Sequence, residues 1–103
     1  MNPTLAADLV REVVTRHISE ALLVPIPQIT PAARLFSDLK AESIDIVDIR
    51  FRIEEEWKIK IDQQAMLESL GANLSAEQLD ARFTVGFIIE YVTPLVTAAR
   101  GRA

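Results

Sequence analysis

Apolar residues recur at helical spacing through three long stretches of the chain. Near the start, Leu5, Leu9, Val10, Val13, Val14, Ile18, Ala21 and Leu22 form one stripe. Asn2-Pro3-Thr4 reads as its beginning, with Thr4 as N-cap, and Glu12–Arg16 is a favourable i,i+4 pair. In the middle, Ile46, Ile49, Ile53 and Trp57 recur at i, i+3, i+7 and i+11, beside a second row of Ile44, Val47 and Phe51. The β-branched residues lean toward strand, but Ile46–Val47 breaks strict alternation, so the spacing predicts a helix. Near the end, Thr84 caps a helix with Val85, Ile88, Tyr91, Val92, Leu95 and Val96 on its inner face. Pro94 is expected to kink or end it at Thr93, leaving Ala98 to Ala103 frayed.

The connections carry their own signals. Pro25, Pro27 and Pro31 rule out a helix through Leu23–Pro31. A long loop is expected there, pinned by Ile26, Ile29, Leu35, Phe36 and Leu39, with a short helical turn over Ala32 to Phe36. After Ile61, Asp62 can cap a short helix over Gln63–Leu70, stopped by Gly71. Ser75-Ala76-Glu77-Gln78 is a capping-box pattern that starts another helix, to about Arg82. Met66, Leu67, Leu70, Leu74, Leu79 and Phe83 make this pair a small apolar hairpin. The chain is thus expected to be all-α, a four-helix bundle with a long first loop and a helical hairpin enlarging the third-helix region. Residues 1–103 are read as one domain.

Charge sharpens the picture. Of fifteen acids and eleven bases, the window from Glu42 to Glu56 holds six acids and two bases. Its net −4 equals that of the whole protein, so the acidity is local. A solvated face would explain it, and so would a docking face. The low pI, about 4.9, argues against nucleic acid. Without cysteine there is no disulfide, thiolate metal site or nucleophilic thiol. No apolar run approaches a membrane span, and MNPTLAAD lacks the character of a signal peptide, so cytoplasm is the expected location. The lone His17 reads as a surface or half-buried helix histidine.

Ser43 stands at the cap or first position of the central helix, where outward backbone N–H groups favour an attached anion. As a plain N-cap it would contribute about 1 kcal/mol. No neighbouring base activates its hydroxyl, so no catalytic residue is assigned.

Asp38-Leu39, then Ser43-Ile44-Asp45-x-Val47-Asp48, Ile53-Glu54-Glu55-Glu56-Trp57 and Ile59-Lys60-Ile61 together resemble an acyl carrier protein. Thr84-Val85-Gly86 with Ile88-Ile89-x-Tyr91-Val92 resembles the opening of that family's last helix. Departures are Glu42 for an Asp, Lys40 for a Gly, Arg50 and Arg52 on a normally acidic helix, and about ten extra residues before Thr84. The resemblance implies 4′-phosphopantetheine on Ser43, placed by a phosphopantetheinyl transferase and carrying acyl groups as thioesters. It implies docking through Glu42, Ile44, Asp45, Asp48, Phe51, Glu54 and Glu55 to acyl-transferring and chain-elongating enzymes with basic patches. It also implies a β-like Ile59-Lys60-Ile61 and a core of Ile46, Val47, Ile49, Ile53, Trp57 and Ile88 that opens to an acyl chain; a monomer is expected, and the residues themselves suggest no metal site. The Trp57–Ile61 passage and the enlarged region after it are similar to carriers of very long acyl chains for lipid A. Alternatives are a peptidyl or polyketide carrier, a helical interaction domain without a prosthetic group and, last, a metal-binding helical protein. The acids lack the spacing and glycine of a Ca²⁺ loop.

Overall fold

The computed structural model describes residues 3–101, with side chains from residue 7 to residue 100. Five α-helices follow one another: α1 (Pro3–Leu22), α2 (Ser43–Trp57), α3 (Gln63–Glu68), α4 (Ala76–Arg82) and α5 (Val85–Gly101). The long helices are the three the periodicity predicts, and α1 packs on both α2 and α5. Val10, Val14 and Ile18 of α1, Ile46, Ile49 and Ile53 of α2, and Val85, Ile88, Val92 and Val96 of α5 form the buried core. Val47 departs from expectation. It is half-buried at the edge of the second apolar row, whose other members, Ile44 and Phe51, are exposed.

Helix α1 begins at Pro3, so Thr4 lies within its first turn rather than capping it. The side chains of Thr4 and Leu5 fall outside the described residues. The expected Glu12–Arg16 pair is not made. Arg16 instead reaches Glu56 on α2 at 3.1 Å, because crossing to the neighbouring helix satisfies a carboxylate there.

The long loop is stitched down rather than free. Its prolines admit one 3-10 turn, Ile26–Gln28, which tolerates Pro27 because first-turn N–H groups need no partner. Ile29, Leu35 and Leu39 are buried pins, but Ile26 is exposed. The helical turn expected over Ala32 to Phe36 forms two residues later, with the Asp38 N–H donating to the Arg34 carbonyl at 3.0 Å, while Arg34 itself makes an isolated antiparallel bridge with Thr84. Leu35 donates to the Phe83 carbonyl at 3.1 Å, Val85 to Ala33 at 3.0 Å and Gly86 to Pro31 at 2.8 Å. Gly86 suits that close approach, since a Cβ would stand 3.0 Å from the Pro31 carbonyl oxygen and one of the two would have to give.

The hairpin forms as the caps predict, with α3 ending two residues before Leu70. Asp62 accepts from the Ala65 N–H at 3.1 Å, and Ser75 and Gln78 exchange both capping-box bonds. Arg82 donates to the Leu70 carbonyl at 2.9 Å, closing the hairpin. Asp80 ties it to the long loop by accepting from the Ser37 N–H at 3.0 Å and from the Ser37 hydroxyl. Phe83 is fully buried between Phe36 and Phe87, with ring centroids 5.5 and 6.0 Å away.

Ile59-Lys60-Ile61 is not a strand. It has no pairing partner, although Ile61 is buried and Lys60 exposed. Nor does Pro94 end α5, which continues to Gly101 through residues expected to fray. The ring lies on the exposed side, where water can satisfy the carbonyl that loses its N–H. Immediately before it, the Thr93 hydroxyl donates to the Ile89 carbonyl, one turn back, at 2.6 Å.

Candidate functional site

Helix α2 starts because Glu42 is extended and its N–H is capped by Asp45 at 2.8 Å. Ser43 is therefore the first helical residue. It is exposed, and among the described residues its hydroxyl makes no hydrogen bond to the chain. The turn leading to it is anchored by buried Leu39 and Ala41, with Lys40 between them at φ 60°. A lysine here adopts the left-handed conformation that glycine adopts without strain, so replacing the expected glycine keeps the turn. Upstream, Asp38 accepts from the Arg34 backbone at 2.8 Å and from its guanidinium at 3.1 Å. The guanidinium, and then the backbone bond, hold the Asp38 carboxyl below its ordinary value, and the same pair raises Arg34.

Among the described residues no basic side chain is hydrogen-bonded to the Ser43 hydroxyl. His17 bonds Glu56 at 2.8 Å, and Glu56 lies thirteen residues beyond Ser43 on the same helix. That is about 20 Å along the axis. His17 is a half-buried histidine joining α1 to α2.

Around Ser43, Glu42 and Ile44 are exposed and Asp45 and Asp48 partly so. About two and three turns further along, Phe51 and Glu55 are also exposed. The Lys58 ammonium, 2.8 Å away, holds the Glu55 carboxyl below its ordinary value. Asp48 is partly neutralised by Arg52 at 3.1 Å, and Arg52 also approaches Glu20 of α1 at 3.5 Å. Glu54 does not join this face. Its side chain is 15% exposed, accepts from the Ile61 N–H at 2.8 Å and lies 3.4 Å from Arg50. Arg50 turns the same way, donating to Gln63 at 3.0 Å. In the sequence Arg50 stands out only as a departure in charge. Its i,i+4 spacing to Glu54 is the sequence signal for their pairing.

The residues fit a phosphodiester on Ser43. The hydroxyl is free and exposed, and no chain acceptor is shown for the Ser43 and Ile44 N–H groups at the helix start. Among the described residues, no cluster of three or more acidic or histidine groups could hold a metal ion.

The model of the phosphopantetheine attachment site matches residues 12–72, a span that contains Ser43. An acyl carrier protein of Thermotoga maritima is 37% identical over 75 residues, covering 73% of this chain and 76% of that protein. An acyl carrier protein of Helicobacter pylori is 43% identical over 49 residues, covering 47% of this chain and 63% of that protein. One from another strain of that species is 29% identical over 75 residues, covering 73% and 80%. The chain belongs to the acyl carrier proteins, the family built around a phosphopantetheine attachment site. It carries acyl groups on covalent 4′-phosphopantetheine and is a carrier rather than a catalyst.

Proposed function

We propose that Ser43 is the attachment point and that the exposed side of α2 beside it is the docking face. The observation that carries the first part is the free, exposed hydroxyl on the first residue of α2. A phosphopantetheinyl transferase would join the Ser43 Oγ to the phosphorus that bears pantetheine in coenzyme A. The pyrophosphate bond breaks, 3′,5′-ADP leaves and the serine proton passes to the enzyme or solvent. The terminal thiol then supplies the nucleophile the chain lacks and holds acyl groups as thioesters.

Glu42, Asp45, Asp48 and Glu55 give docking enzymes with Lys/Arg patches an electrostatic target, and Ile44 and Phe51 give them an apolar one. Exposure supports both roles: Ile44 is 69% and Phe51 57% accessible. Such charges chiefly raise association rates, as transient hand-offs require. Glu54 is left out because its bonds are internal. The partners are chain-elongating and acyl-transferring enzymes of fatty-acid or lipid synthesis, met in the cytoplasm. No described helix is long and apolar enough to cross a membrane. The α3–α4 hairpin packs Met66 and Leu70 against the core, and the similarity of this enlarged region to carriers of very long acyl chains is the ground for proposing a specialisation for chains such as those of lipid A.

The test is mass spectrometry of apo protein incubated with coenzyme A and a transferase. One phosphopantetheinyl addition is expected in wild type and none in Ser43→Ala. An unchanged wild-type mass with several competent transferases would overturn the assignment of Ser43.

A further inference from the structure

Arg50 points inward from an acidic helix. Its side chain is only 21% exposed. Its Nε donates to Gln63 Oε1 at 3.0 Å, its Nη1 lies 3.4 Å from the Glu54 carboxylate, and its Cζ stands 4.6 Å from the centre of the Phe51 ring. Glu54 is itself fixed by the Ile61 N–H. The guanidinium is thus held by its own helix and by Gln63, the first residue of α3. It closes the seam between α2 and α3.

Beneath that seam lies a core void of about 10 Å³. Its wall is aliphatic, with Ile46, Ile53, Met66 and Ile88 among the lining residues, and Arg50 is its one charged member. The void admits one water-sized body at most, so an acyl chain enters only if the seam opens. Arg50 follows Ser43 by seven residues, two turns down the same face and about 10 Å along the axis. It thus lies on the Ser43 side of α2, midway along the stretch from Ile46 to Ile53 that lines the void, where α2 meets α3.

We propose that Arg50 is a latch that decides which acyl chains the core shelters, an inference that rests on Ser43 carrying the prosthetic group. Entry of a chain displaces the guanidinium from Gln63 and strips a charge-assisted bond from a partly buried site. Apolar burial offsets that loss, and the offset grows with each methylene inserted. A short chain stays outside the closed latch, whereas a longer one can open it. Arg50 is thereby a specificity-determining residue, and Gln63 positions it.

Holo wild type, Arg50→Ala, Arg50→Lys and Gln63→Ala are loaded with acetyl or octanoyl groups. Thioester cleavage by hydroxylamine is then timed at fixed pH. Removing the latch should slow octanoyl cleavage at least threefold in Arg50→Ala and leave acetyl cleavage unchanged. Gln63→Ala should move octanoyl cleavage the same way by less, and Arg50→Lys should fall between wild type and Arg50→Ala. A merely structural role would alter both thioesters alike, and an unchanged octanoyl-to-acetyl ratio in Arg50→Ala overturns the latch. If Arg50→Ala loses helicity, Gln63→Ala decides the matter, because it keeps the charge. Mass is measured first: no addition on Ser43 overturns the carrier site and the latch together, whereas full addition with an unchanged ratio overturns the latch alone.

Discussion

At Lys40 the backbone adopts φ 60°, a conformation that costs an L-residue of order 1–3 kcal/mol. Lys40→Gly should relieve that strain and lose part of the gain to a more flexible unfolded chain. The expected net is about 0.5–1 kcal/mol of added stability, read as a higher urea midpoint at constant slope. Gly86 is the opposite case. Gly86→Ala would push a methyl against the Pro31 carbonyl and should cost about 1–3 kcal/mol in the same measurement. Asp38 sets a pH dependence. Arg34 depresses its folded value below the ordinary 3.8, so its contribution is present above that pH and fades as pH falls through the folded value. The stability gap between wild type and Asp38→Asn should therefore be widest near neutrality and close under acid. A gap independent of pH would show that the ion pair contributes nothing.

Helix α2 presents two unlike sides. Its inner stripe is core, whereas its outer side combines exposed Ile44 and Phe51 with acids. Asp45 has a second task as the partner of the Glu42 N–H, so substituting it would confound docking with capping. Asp48→Lys with Glu55→Lys is the cleaner reversal. It should slow the transferase encounter severalfold at low salt and flatten the salt dependence, with helicity unchanged. Unaltered kinetics across a salt series would remove this face as the docking site. The element boundaries were largely legible in the sequence, because caps and period are local properties. Asp62, Ser75 and Thr84 each form the cap their side chains predict. Pro94 does not end the helix, one of its two expected effects, because a proline's effect depends on which side of the helix it occupies, and exposure is not a local property.

Across the whole molecule, the hairpin is braced on three sides. Asp80 holds Ser37 of the loop, Gln63 holds Arg50 of α2, and Arg82 holds Leu70 within the hairpin. Replacing residues 70–79 by a short turn removes buried Leu70 and half-buried Leu74 and Leu79. Each large apolar side chain buried in full contributes roughly 1.5–3 kcal/mol, so the shortened protein should be several kcal/mol less stable by urea titration. Initial modification of Ser43 should persist, because the hairpin bonds are remote from the hydroxyl.

From its sequence alone this chain determined an all-α architecture, an exposed acidic helix and a serine at its head. Hydrophobic period, caps and local charge are written within one turn of each residue, so neighbours in sequence suffice to decode them. Tertiary structure decided the rest. It drew Arg16 away from Glu12 to Glu56, pinned the proline loop to the entry of α5, and turned Glu54 and Arg50 from the acidic face toward α3. Each choice sets a local partner against a distant one. Which partner wins depends on burial and on the polar groups the fold would otherwise leave unpaired.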